Sequence, residues 1–171
     1  MCVILVGEIN SSLHKQAAEQ NRDGFSLFNE QFGLVKAPTK AQVEASFGKF
    51  GIWHYRIGTS GRMDVYNVHP FPVCKGKYLL YHNGVLGSGV GQKSDTHAFA
   101  DSMKDLSLTT VRSILRATCK GQRFLLVDAK NPRKFELFGE WEVEAGVIMS
   151  HKMYKPVYKT AAPWRGNFDE E

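Results

Sequence analysis

Residues 2–9 are apolar at nearly every position and lack the alternation of a half-buried strand, so they predict a strand covered on both faces. The chain therefore starts inside its own core. Asn10, Ser11 or Ser12 can cap a helix to about residue 20, and Asn21-Arg22-Asp23-Gly24 reads as a turn into a strand over 25–29. Thr39 can cap a second helix through residue 46, with Lys40 and Glu44 as an i,i+4 pair and Gly48 and Gly51 marking its end. Aromatic and β-branched residues predict strands over 52–57 and 78–82, joined by a Gly/Pro-containing connection. Ser94 or Asp95 then opens a helix to about 106. Thr109 caps another to 119, with Val111, Ile114 and Leu115 on one face and Gly121 beyond its end. Strands follow over 123–128, 134–138 and 146–150, with Asn131-Pro132 turning between the first two, and the chain reads as an irregular tail from about 156.

Strands and helices come in batches without strict β-α alternation, which favours an α+β sandwich over a doubly wound sheet. With 171 residues, 43% of them hydrophobic, the chain suits a single domain spanning 1–171 with one sizeable core, and no linker or repeat divides it. The apolar stretches are strand-length, far from the roughly 20 residues needed to cross a bilayer, and the amino terminus lacks the basic patch and apolar core of a signal peptide. The expectation is a cytoplasmic protein with no membrane association. Three cysteines, Cys2, Cys74 and Cys119, form neither an even set nor a CxxC pair, which argues against a disulfide framework and a zinc site. The net charge of +5 is scattered along the chain, favouring a solvated surface over a nucleic-acid footprint.

Chemistry enters at Met1-Cys2. Trimming the initiator methionine would leave a cysteine with a free α-amine, whose pKa of about 7.7–8.0 gives it a large neutral fraction near physiological pH. That amine could act as a base for the thiol of the same residue. Taken alone, a second-position cysteine is more often a small buried hydrophobe. Arg56 closes a strand beside Gly58, Thr59, Ser60 and Gly61, where its fork could grip a carboxylate; the alternative is an ordinary surface arginine or internal ion pair. Asn83-Gly84 could supply a side-chain amide and a backbone N–H to an oxyanion, or simply make a hairpin turn. Asp95 could hold an ammonium group, or act as a first-turn acid of its helix.

The ordered set carries a resemblance that none of its members carries singly. An amino-terminal cysteine, Asp23-Gly24, Arg56-Ile57-Gly58-Thr59-Ser60-Gly61, Asn67-Val68-His69-Pro70-Phe71, His82-Asn83-Gly84 and Ser94-Asp95-Thr96 follow one another as in class II glutamine amidotransferases. The chain resembles the glutaminase domain of that group, sharply from Cys2 to about Asp101 and more softly through Gly139-Glu140-Trp141 and residues 146–150.

The resemblance implies an N-terminal-nucleophile hydrolase fold, a four-layer αββα sandwich of two antiparallel sheets flanked by helices. It implies Cys2 as nucleophile with its own amine as base, Arg56 on the glutamine carboxylate with Thr59 nearby, Asn83 and Gly84 as oxyanion hole, and Asp95 on the glutamine α-amine. Asn67, His69 and Phe71 would shape the loop between strands, and His82 would orient the turn and not act as a base. Glutamine is the implied substrate, with no metal or cofactor. Ile57-Gly58 departs from the aromatic-serine pair of many relatives, leaving a roomier lining beside Arg56. Nothing resembling a synthetase follows in the sequence, so an ammonia-accepting synthetase is expected in trans. Two rival readings stay open: a hydrolase of another γ-glutamyl amide, and a non-catalytic binding module on the same fold.

Overall fold

A computed structural model describes residues 2–58 and 60–151 of the chain. The first sheet has six strands in the order β3-β2-β4-β1-β10-β9: β1 (Val3–Glu8), β2 (Phe25–Asn29), β3 (Gly33–Lys36), β4 (Phe50–Tyr55), β9 (Glu142–Glu144) and β10 (Val147–Met149). The second has four in the order β5-β6-β7-β8: β5 (Phe71–Val73), β6 (Tyr78–Asn83), β7 (Arg123–Asp128) and β8 (Asn131–Phe138). Every pairing in both sheets is antiparallel. The α+β class expected from the batching of elements is thus observed.

Strand parity decides what each face covers. In β1, Val3 and Leu5 pack outward with Trp53, Tyr55 and the helices α1 (Ser11–Gln20) and α2 (Lys40–Glu44), through Leu13, Ala17 and Val43. Ile4 and Val6 instead face the other sheet, in a layer with Phe28, Phe50, Ile52, Leu79, Tyr81, Leu125, Val127 and Ile148. A third cluster joins the outer face of the second sheet to α3 (Asp95–Ser102) and α4 (Leu108–Thr118) through Ala100, Val111, Leu115, Phe124 and Leu126. Because β1 is buried on both faces, its near-continuous apolar run follows directly.

The caps of the first two helices follow the expected chemistry, and several helix ends are shifted. Asn10 caps α1 through Leu13 N–H at 2.9 Å, and Thr39 with Gln42 forms a capping box on α2. The second helix stops at Glu44, short of residue 46, and Gly51 lies inside β4 and does not end the helix. On α4 the cap is Ser107, which accepts from Thr110 N–H, and not Thr109. The third helix ends at Ser102, earlier than expected.

Pro132 does not turn the chain. It lies within β8, an edge strand, where a missing N–H is tolerated, and the ladder with β7 shifts register between Val127 and Asp128. Among the described residues, no helix is long and apolar enough to cross a membrane. The expected irregular tail from 156 lies outside the described residues, as does Thr59.

Candidate active site

The open edge of the two-sheet stack is where the layer between the sheets turns from apolar to polar. Along β4 the inward-facing positions run Phe50, Ile52, His54, and the next in phase, just past the strand, is Arg56. In β1 they run Val6, Ile4 and then Cys2, which stands across from Arg56, one step beyond the Val3–Tyr55 pair. From the second sheet, β6 brings Leu79, Tyr81 and Asn83 to the same layer. The N-terminus of α3 closes the edge with Asp95.

Cys2, Arg56, Ile57, Ser60, His69, His82, Gly84, Ser94, Asp95 and Thr96 line one narrow cleft of about 290 Å³ including its mouth. Five of the seven expected site residues, Cys2, Arg56, His82, Gly84 and Asp95, therefore meet in one place. Asn83 is not among the lining residues but lies buried at the end of β6, between His82 and Gly84, which are; Thr59 lies outside the described residues. A far larger cleft of about 1340 Å³ lies on the outer face of the first sheet, lined by His14, Phe25, Phe47 and Tyr55 among others. It contains no cysteine and none of the expected residues, so size and chemistry point to different places here, and chemistry decides.

Arg56 is 3% exposed, and its guanidinium donates to the Ser60 carbonyl at 3.0 Å and reaches Met63 Sδ at 3.5 Å. No carboxylate stands within ion-pair distance of it among the described residues. A buried guanidinium without a counter-charge is costly unless a ligand supplies one. The strand end that carries it is fixed by Arg56 N–H to Gly24 O at 2.7 Å, Asp23 N–H to Arg56 O at 2.9 Å, and Gly58 N–H to Asp23 Oδ2 at 2.8 Å. Gly24 is required there: φ is +152°, and a Cβ would come within 2.4 Å of Val68 Cγ2.

Asp95 accepts from Leu86 N–H at 2.7 Å and Thr96 N–H at 2.8 Å, and no cation pairs with it among the described residues. Ser60 lies between the two charged residues: its carbonyl accepts from the Arg56 guanidinium, and its hydroxyl accepts from the backbone N–H of Asp95 at 3.1 Å and stands 3.5 Å from the Asp95 carboxylate oxygen Oδ1. The sequence carried Ser60 inside the Arg56 motif, but only the fold shows that it links both charges. Asn67, wholly buried, donates to the carbonyls of Arg62 at 3.1 Å and Gln92 at 2.8 Å and accepts from Ser94 N–H at 2.8 Å. It thereby ties the loop after Arg56 to the start of α3.

The Cys2 thiol lies 3.5 Å from the Ile57 carbonyl; burial raises its pKa, with the nearby Arg56 charge among the opposing influences. His82 is held at both nitrogens, Nδ1 at 2.8 Å from Thr96 Oγ1 and Nε2 at 2.8 Å from Gln122 Oε1, and burial lowers its pKa. Gln122 also donates to Val85 O at 3.0 Å, so its carbonyl faces His82 as an acceptor and assigns the proton to Nε2. The ring is a neutral strut with no free nitrogen for proton transfer. Gly84 follows at φ +153°, where a Cβ would fall 1.9 Å from Gln122 Oε1. Gln122, remote in sequence and unremarkable in pattern, was not expected here. Among the described residues, no group of three His, Cys, Asp or Glu side chains could hold a metal ion.

Two face-to-face antiparallel sheets with a thiol, a lone guanidinium and a lone carboxylate at their shared edge make a cleft that can engage a zwitterion beside a nucleophile. No family model matches the chain. Its sequence is similar to glutamine–fructose-6-phosphate aminotransferase (isomerizing) of Lactiplantibacillus plantarum, 35% identical over 66 residues, covering 39% of this chain and 11% of that protein. The same enzyme of Bacillus subtilis strain 168 is 28% identical over 106 residues, 61% of this chain and 17% of the relative. That of Bacillus licheniformis is 37% identical over 70 residues, 40% and 11%. The similarity thus spans between 11% and 17% of the length of these relatives. The resemblance to glutamine amidotransferases of class II accordingly stands on direct sequence comparison as well as on the ordered motifs.

Proposed function

We propose that this chain is a glutaminase of the N-terminal-nucleophile type, releasing ammonia from the side-chain amide of glutamine for an ammonia-accepting synthetase. The observation that carries the reading is the pair of unmatched charges: Arg56 and Asp95 line the same cleft as Cys2, neither has an ion-pair partner among the described residues, and Ser60 lies between them. A free amino acid bears the two opposite charges such a cleft lacks, with its carboxylate on the Arg56 fork and its α-amine on Asp95. The order of layers, helices outside two facing sheets, supports the αββα N-terminal-nucleophile fold. The named relatives support glutamine as the substrate.

In the mechanism, removal of Met1 exposes the α-amine of Cys2. The raised thiol pKa makes a local base necessary, and the neutral amine accepts the thiol proton. The thiolate attacks the glutamine amide carbon, and charge develops on its oxygen towards Asn83 and Gly84. Collapse expels the amide nitrogen, which takes the proton back from the α-ammonium and leaves as ammonia. Water then attacks the γ-glutamyl thioester, regenerating the thiol and releasing glutamate.

Intact-mass measurement before and after a glutamine-analogue electrophile tests this. Loss of the methionine mass and one adduct on Cys2, with ammonia released from glutamine, is the expected result. Adducts on Cys74 or Cys119, or amine release from other γ-glutamyl amides but not ammonia from glutamine, would overturn it.

A further inference from the structure

Oxyanion stabilisation by Asn83 requires an unspent N–H, yet its amide is turned the other way. Nδ2 lies 3.0 Å from Ser150 Oγ and 3.5 Å from the Ser150 carbonyl, while Oδ1 is buried without a hydrogen-bond partner among the described residues. Both N–H bonds are thus directed at Ser150, and a lone-pair-bearing oxygen is left buried on a residue whose two chain neighbours, His82 and Gly84, line the cleft.

Ser150 itself is 1% exposed and fixed from both sides. Its Oγ accepts from Ile4 N–H at 2.9 Å, and its own N–H donates to Ile4 O at 3.0 Å, two residues from Cys2. A serine hydroxyl has one proton to donate, and with Nδ2 facing it no acceptor receives that proton among the described residues. A half-turn of the Asn83 amide exchanges oxygen and nitrogen with almost no change in shape. Ser150 Oγ–H then donates to Oδ1, and Nδ2 takes the place of the orphaned oxygen with its N–H bonds unspent.

We propose that Ser150 is a positioning residue for the oxyanion hole: anchored by Ile4 N–H, its hydroxyl proton selects the Asn83 orientation that presents Nδ2 to the reacting carbonyl. This rests on the amide-hydrolase reading above. Cys2, Asn83 and Ser150 share the layer between the sheets, so the same β1 backbone that carries the sulfur also sets the Ser150 hydroxyl and, through it, the amide.

The test has a structural and a kinetic arm. In a neutron map of the protein, the deuteron on Ser150 Oγ should point at the Asn83 amide oxygen; amide deuterons directed at Ser150 Oγ would overturn the inference whether or not glutamine is turned over. In kinetics, Ser150→Ala should lower kcat by about 10-fold or more, towards the roughly 10²–10³ lost with an oxyanion donor. Its KM should stay within about 2-fold, and Ser150→Thr, which keeps the hydroxyl, should recover most of the loss. Wild-type kcat in a folded Ser150→Ala protein, or a loss confined to KM, overturns the positioning role. Absence of turnover in the wild type would instead sink the amide-hydrolase reading, leaving the neutron map to decide the hydrogen bond.

Discussion

At the scale of single residues, the proposed function separates groups that would bind from groups that would act only in the transition state. Asn83→Ala should lower kcat by about 10²–10³ with little change in KM, because an oxyanion donor works on charge absent from the ground state. Steady-state ammonia release from glutamine reads both constants. Arg56→Ala should act on recognition: losing one member of a desolvated charge pair costs about 2–5 kcal/mol, or about 30-fold or more in kcat/KM. Isothermal titration of glutamine onto a Cys2→Ala protein would show that loss directly. The residues visible in the sequence were those with distinctive chemistry in a recognised order, namely Cys2, Arg56, Gly84 and Asp95. Gln122 and Ser150 gave no such signal, since Gln122 meets His82, 40 positions away, and Ser150 meets Asn83, 67 positions away.

At the scale of elements, long apolar or well-capped segments were legible and very short strands were not. The spans of β2 and β7 and the end of α1 match expectation because turn residues and caps bracket them. The strands β3, β5 and β9, of three or four residues, escaped: Gly33–Lys36 is only partly buried, Phe71–Val73 carries a proline, and Glu142–Glu144 places two acids around one valine. Cross-strand pairing makes these strands, not local propensity. The inward face of β4 also stores a pH response. His54 is fully buried, and desolvation, reinforced by Arg56, Lys36 and His82, lowers its pKa to about 3. The unfolded chain binds a proton there near pH 6.5 while the native state does not. Stability is therefore complete above about pH 6.5 and falls as pH drops towards 3, by about 1.4 kcal/mol per pH unit for this one histidine. Urea titrations between pH 7 and 4 should show that slope, and His54→Phe should flatten it by about that amount.

For the whole molecule, the layer between the sheets joins two otherwise separate helix-covered units. Leu125 sits in it, wholly buried on β7, one of the two inner strands of the second sheet. Leu125→Ala should cost about 2–5 kcal/mol and leave unfolding a single transition, with far-UV and near-UV dichroism coinciding in urea. Separate transitions for the two probes would show that the sheets fold as independent bodies. Helices outside two facing sheets were implied by the family resemblance and not by local patterning, and the meeting of chain positions 2, 56, 84 and 95 at one edge likewise depends on strand order, which no local pattern encodes. Ser60 gives that meeting point a particular character. Its carbonyl holds the Arg56 guanidinium and its hydroxyl holds Asp95, firmly at the backbone N–H and more loosely at the carboxylate, so one short stretch is tied to both charged residues; on the proposed reading, displacing it would loosen a bound amino acid at head and tail together, so that entry and exit of substrate become a single latch event.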